Sequence, residues 1–102
     1  MPVSTPIVED ITEESLEVKE PSMYQVLIHN DDKTTIDFVI FLLQSVFYKS
    51  EMDAIDITYR VHVEGVGVVG VFTYEIAMEK VSEGTELARV NGFPLVLSMK
   101  PQ

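Results

Sequence analysis

In Tyr24-Gln-Val-Leu-Ile-His-Asn30-Asp-Asp-Lys-Thr34 a strand-forming run meets a cluster of short polar side chains. The first seven residues are rich in β-branched and aromatic types with partial alternation, which predicts a strand over 24–30. Asp31, Asp32, Lys33 and Thr34 then break the strand and supply oxygens able to cap a helix. Beyond them Ile36, Val39, Ile40, Leu43, Val46 and Phe47 recur at helical spacing, which predicts a helix reaching about Tyr48. The polar cluster thus sits where a strand hands over to a helix.

Outward from this junction the pattern stays globular. Ser50 with Asp53 resembles a capping box for a second helix ending near Tyr59. Residues 61–71 are rich in valine and glycine and read as a turn or ribbon feeding a strand. Thr73, Glu75 and Ile76 open a third helix that runs to about Arg89 and is stopped by Asn91-Gly92. Pro94-Leu-Val-Leu-Ser-Met-Lys100 reads as a last strand. The order β-α-α-β-α-β implies an α+β fold, with three helices on one face of an antiparallel or mixed three-stranded sheet.

The 102 residues suffice for one domain with one modest core, and residues 21–102 are assigned to it. Residues 1–20 differ in character. Six carboxylates stand there against Lys19 alone, giving that segment −5 of the chain's −10. Its few apolar residues cannot bury enough surface to offset chain entropy, so it is expected to be a disordered acidic extension. Within it Thr12-Glu-Glu-Ser-Leu-Glu17 allows a short helix over 11–18.

Composition excludes several functions. With no cysteine there is no disulfide framework, thiolate nucleophile or cysteine-bound zinc. An acidic chain repels phosphate, so neither nucleic acid nor an anionic membrane is an expected partner, whereas a cationic ligand group is favoured. Met1-Pro-Val-Ser-Thr-Pro has neither the basic start nor the apolar stretch of a secretory signal, and the expectation is a cytoplasmic protein. No Gly-x-Ser-x-Gly elbow or His-Glu-x-x-His motif is present, and no enzymatic activity or cofactor is expected.

Four features remain. Asn30, Asp31 and Asp32 with Thr34 form a compact acceptor set, suited to an ammonium group or a hard metal ion. The plain alternative is that Asp32 or Thr34 caps the following helix and the others are solvated. His62, flanked by valines, can be a hydrogen-bonding ligand residue, a general base or a structural group. Asp31, Asp32 and His62 can in principle hold Mg²⁺ or Mn²⁺, although nothing in their spacing demands it. Gly65, Gly67 and Gly70 lack the Lys-Ser or Lys-Thr of a phosphate loop and read as turns or a bulge. His29 is placed on the strand face opposite Val26 and Ile28 and given no role.

Together these pieces resemble the ClpS family, adaptors of the bacterial Clp protease. Carrying the resemblance are Pro21-Ser-Met-Tyr24, Val26-Leu-Ile-His-Asn30-Asp-Asp-Lys-Thr34, Phe38-Val39, Val61-His62-Val-Glu-Gly65, Gly70-Val-Phe-Thr73 and Pro94-Leu95. It covers about residues 21–99. The resemblance implies a monomeric adaptor, with a mainly antiparallel sheet, that binds the free N-terminus of proteins beginning with a bulky hydrophobic residue. It would deliver them to an AAA+ unfoldase of the ClpA type.

Residue by residue, the resemblance assigns the substrate's α-amino group to Asn30, Asp31 and His62, with Thr34 beside the site and Asp32 acting at the helix start. An α-ammonium presents three donors, matched by the oxygens of Asn30 and Asp31 and by a neutral imidazole directly or through water. Acetylation removes the charge and most of the donors. Ile36, Val39, Thr58, Val61 and Leu95 would line the hole for the first side chain, whose burial contributes roughly 1.5–3 kcal/mol. Glu75 and Lys80 would dock on the unfoldase's N-terminal domain, and the acidic extension would be engaged during delivery. No metal is implied.

The sequence departs from the family's pattern at Ile36, where methionine is common, and at Thr58, where a long apolar residue is common. Val66 replaces a frequent basic residue, and Lys33 a frequent aromatic one. The first two would reshape the side-chain hole and leave the α-amino set untouched. A competing expectation is another interaction domain of the same layout, like the C-terminal domain of the ribosomal stalk protein. That family exposes a lysine-rich helix, which this chain lacks.

Overall fold

The computed structural model describes residues 21–102; the acidic extension and the helix expected over 11–18 lie outside the described residues. The element order is β1 (Met23–His29), α1 (Ile36–Ser45), α2 (Glu51–Glu64), β2 (Val66–Thr73), α3 (Tyr74–Val90) and β3 (Val96–Pro101). The sheet order is β2-β1-β3, and both pairings are antiparallel.

Alternation along β1 sets the two faces of the sheet. Val26 and Ile28 are fully buried, and with Val69 and Leu97 they meet Leu42 and Leu43 of α1 in one core. Between Val26 and Leu27 the β1–β2 register shifts, so Val69 is the extra residue of a bulge. Gln25, Leu27 and His29 occupy the other face and are half-buried. There His29 Nε2 lies 2.7 Å from Ser98 Oγ on β3, so this imidazole is tied to a neighbour rather than free in solvent.

Three boundaries differ from expectation by two residues or more. Helix α1 stops at Ser45 rather than Tyr48, because the chain turns at Tyr48 with φ 56°. Val46 and Phe47 are buried beyond the helix, which is why their spacing mimicked more of it. Helix α2 runs on to Glu64, so 61–64 is helix and not ribbon. Ala54, Ile57, Thr58 and Val61 form one buried stripe at helical spacing, and its burial overrides the weak helix preference of valine. The last strand begins at Val96 rather than Pro94.

The caps explain where each helix begins and ends. Thr35 Oγ1 accepts from the Phe38 N–H at 3.2 Å, making Thr35 the N-cap of α1 rather than Asp32 or Thr34. Ser50 Oγ accepts from the Asp53 N–H at 3.1 Å, as expected for α2. Gly65 ends α2 at φ 90°, a left-handed conformation that costs side-chain-bearing residues and not glycine. At the end of α3, Gly92 has φ 81° and the Phe93 N–H donates to the Ala88 carbonyl at 2.9 Å.

Candidate functional site

The site begins where β1 ends. The Asn30 N–H donates to the Gly65 carbonyl at 2.9 Å, joining the end of β1 to the end of α2. Asp31 follows and folds the chain over its own carboxylate. Oδ1 accepts from the Lys33 N–H at 2.8 Å and the Thr34 N–H at 2.7 Å, while Oδ2 accepts from the Thr34 hydroxyl at 2.8 Å. This is an Asx turn, the arrangement that a short carboxylate favours before a helix. Partial burial pushes the Asp31 pKa up, but the Thr34 and Lys33 N–H groups and the Thr34 hydroxyl outweigh it. The carboxyl is held below its ordinary value. A carboxylate has about four lone-pair sites, so three bonds leave it oriented with about one acceptor direction free.

From the other side come the last two turns of α2, with His62 exposed, Val61 buried next to it and Thr58 buried one turn earlier. The Thr58 hydroxyl donates to the Ala54 carbonyl at 2.7 Å. Its polar atom is thereby satisfied inside the helix, and the methyl group is what it offers a ligand. Gly67 on β2 makes this approach close: a Cβ there would lie 2.7 Å from Val61 Cγ2.

Between these elements lies a cavity of about 300 Å³, at the lower bound for small-ligand sites. Asn30, Asp31, Asp32, Thr34 and His62 form its polar part, and Ile36, Val39, Thr58 and Val61 its apolar part. All expected α-amino and supporting residues converge here, as do four of the five side-chain residues. Leu95 is not among the residues that line the cavity; it is buried in the core, immediately before β3. Glu75 is exposed in the first turn of α3. Lys80, on the same helix, donates to the Val46 carbonyl at 2.7 Å and stands 4.5 Å over the Tyr48 ring.

Among the described residues, no group of three or more His, Cys, Asp or Glu side chains is placed to hold a metal ion. Nor is any of their helices long and apolar enough to cross a membrane. The sequence reading missed Thr35 as the cap, and it missed Ile40, Ile55 and Tyr59, which line an adjoining hollow. Ile55 and Tyr59 are exposed apolar residues one turn apart on α2, a spacing visible in the sequence.

An oriented carboxylate, an amide and an imidazole line one small cavity with four side chains that offer it apolar groups, an arrangement chemically suited to a group both cationic and hydrophobic. Comparison with known proteins agrees on the family. Residues 19–98 match the family described as ATP-dependent Clp protease adaptor protein ClpS. The ATP-dependent Clp protease adapter protein ClpS of Myxococcus xanthus is 48% identical over 85 residues, covering 83% of this chain and 79% of its own. That of Clostridium acetobutylicum is 48% identical over 82 residues, covering 80% and 81%. The structure of Agrobacterium tumefaciens ClpS2 bound to L-phenylalaninamide superimposes with a TM-score of 0.79 at 36% identity, covering 81% of this chain and all of that one. The chain belongs to the ClpS family of Clp protease adaptors.

Proposed function

We propose that the cavity between the β1–α1 junction and α2 receives the free N-terminus of proteins that begin with a bulky hydrophobic residue. The chain then delivers them to an AAA+ Clp unfoldase for degradation. One observation carries this reading: the acceptors Asn30, Asp31 and His62 and the apolar Ile36, Val39, Thr58 and Val61 line a single cavity. L-Phenylalaninamide, bound by the Agrobacterium relative, joins a free α-amino group to a benzyl side chain. Both halves of such a molecule have a complement here. The chain's work is binding, with no bond made or broken.

Asn30 and Asp31 accept from the ammonium, and His62 accepts directly or through water, while Asp32 adds negative charge at the rim. The first side chain enters between Ile36 and Val39 on one side and Thr58 and Val61 on the other. A charge-assisted hydrogen bond contributes about 1.5–3 kcal/mol, and association costs several kcal/mol in return, so affinity falls on the order of micromolar. Delivery runs through the face of α3 that carries the exposed Glu75 and the half-buried Lys80 to the N-terminal domain of a ClpA-type unfoldase, in the cytoplasm, with the adaptor a monomer. Fluorescence anisotropy of a Phe-starting peptide and its acetylated twin tests the reading. Only the free peptide should bind; equal affinity of the two would rule the reading out.

A further inference from the structure

Beside the degron cavity lies a second hollow of about 330 Å³, lined by Ile36, Ile40, Ile55, Thr58, Tyr59 and His62. Ile36, Thr58 and His62 line both, so the two hollows are neighbours divided by a shared wall of side chains. The second is the more apolar. Only Thr58, Tyr59 and His62 bring polar atoms to it, and the Thr58 hydroxyl is engaged by Ala54. Ile55 is 48% exposed and Tyr59 69%, on a helix whose buried stripe lies elsewhere. These side chains therefore do little for the core, while forming a surface continuous with the degron site.

We propose that this hollow takes the side chain of the third residue of the bound substrate and favours a large apolar one. The proposal rests on the function proposed above. With the α-amino group at Asn30 and Asp31 and the first side chain beside Val39 and Val61, the peptide must leave past its neighbours. An extended chain advances about 3.3 Å per residue and sends alternate side chains to the same side. Residues one and three then project together, about 7 Å apart. So short a step suits two neighbouring hollows that share Ile36, Thr58 and His62. The second residue points away, towards solvent.

The test uses the full chain and labelled peptides beginning Phe-Ser-Ser, Phe-Ser-Leu and Phe-Leu-Ser, otherwise identical, read by anisotropy. Phe-Ser-Leu should bind about fivefold tighter than Phe-Ser-Ser, as partial burial of one leucine allows. The double variant Ile55→Ser with Tyr59→Ser should lose that gain while binding Phe-Ser-Ser as the parent does. Equal affinity for Phe-Ser-Leu and Phe-Ser-Ser overturns the proposal, as does a gain that follows Phe-Leu-Ser instead or survives the double variant. If acetylated Phe-Ser-Ser binds as well as the free peptide, it is the degron reading itself that has failed. Circular dichroism melts of the double variant, whose changes are on the surface, confirm that the fold is intact.

Discussion

The amide of Asn30 and the carbonyl of Gly65 are hydrogen-bonded at 2.9 Å, and this bond sets the distance between the two halves of the ligand site. Gly65 carries it from a left-handed position at the end of α2. Replacement by alanine meets no neighbouring atom, so its cost is conformational, roughly 1–2 kcal/mol. Gly65→Ala should lower stability in urea by about that amount. Because the strained turn shifts the carbonyl, it should also weaken peptide binding. Gly65→Asn should recover part of both losses, since asparagine tolerates that conformation better.

Gly67→Ala acts on the hole directly. Its new Cβ would stand 2.7 Å from Val61 Cγ2, so Val61 must move into the cavity it lines. Overpacking of this kind costs about 1–3 kcal/mol. Peptides beginning with Phe or Trp should lose more affinity than those beginning with Leu, in an anisotropy panel that varies the first residue alone. A uniform loss across the panel would place the effect on the α-amino end instead.

Asp31 links binding to pH with a definite sign. Its pKa in the fold lies below the ordinary carboxyl value, against burial and because of the donors at Thr34 and Lys33. The stability it contributes is therefore fully present above that ordinary value of 3.8 and is lost as pH falls through the lower folded one. Thr34→Val removes the hydroxyl donor, at a cost of about 1 kcal/mol in this solvent-accessible place. The acid limb of the binding curve should consequently begin at higher pH in the variant. The alkaline limb belongs to the ligand: affinity should fall above about pH 8, where a peptide's α-ammonium loses its proton. Asp31→Ala should abolish binding and, because it removes all three hydrogen bonds to this carboxylate, should lower the melting temperature more than Thr34→Val does while leaving a folded chain.

Glu75 and Lys80 should separate when tested for unfoldase capture. Glu75→Ala is a surface change and should weaken capture without altering thermal stability. Lys80 also serves the fold, through the Val46 carbonyl and the Tyr48 ring. Lys80→Ala should therefore lower stability by about 1 kcal/mol as well as weaken capture. Melting curves alongside pull-downs with the isolated unfoldase domain distinguish the two. Capture unaffected by Glu75→Ala would move docking off this face.

Much of the architecture was legible because strand and helix periods are local. The step from Ile28 to Ile36 through short polar residues gave the β1–α1 junction, and Asn91-Gly92 gave the end of α3. What eluded the sequence depended on contacts distant along the chain. Residues 61–64 look like strand by composition and are helix because Val61 is buried against Gly67. Thr35 rather than Thr34 caps α1 because Asp31 has already engaged Thr34. Asn30, Asp31 and His62 could be named from motif spacing, but the bond from Asn30 to Gly65 that brings them together could not. Leu95 shows the reverse: an apolar residue at a motif position need not be a wall, since the core claims it as readily.

The degron cavity takes its walls from two segments well separated along the chain, the end of β1 with the start of α1, and the final turns of α2. No such hollow survives when those segments separate, so only the native chain can hold cargo. Occupancy must then protect the adaptor itself, by about 2.7 kcal/mol when free peptide stands at a hundred times the dissociation constant. A carrier working beside a machine that pulls proteins apart is, on this account, hardest to unravel while it is loaded and most vulnerable once it has let go.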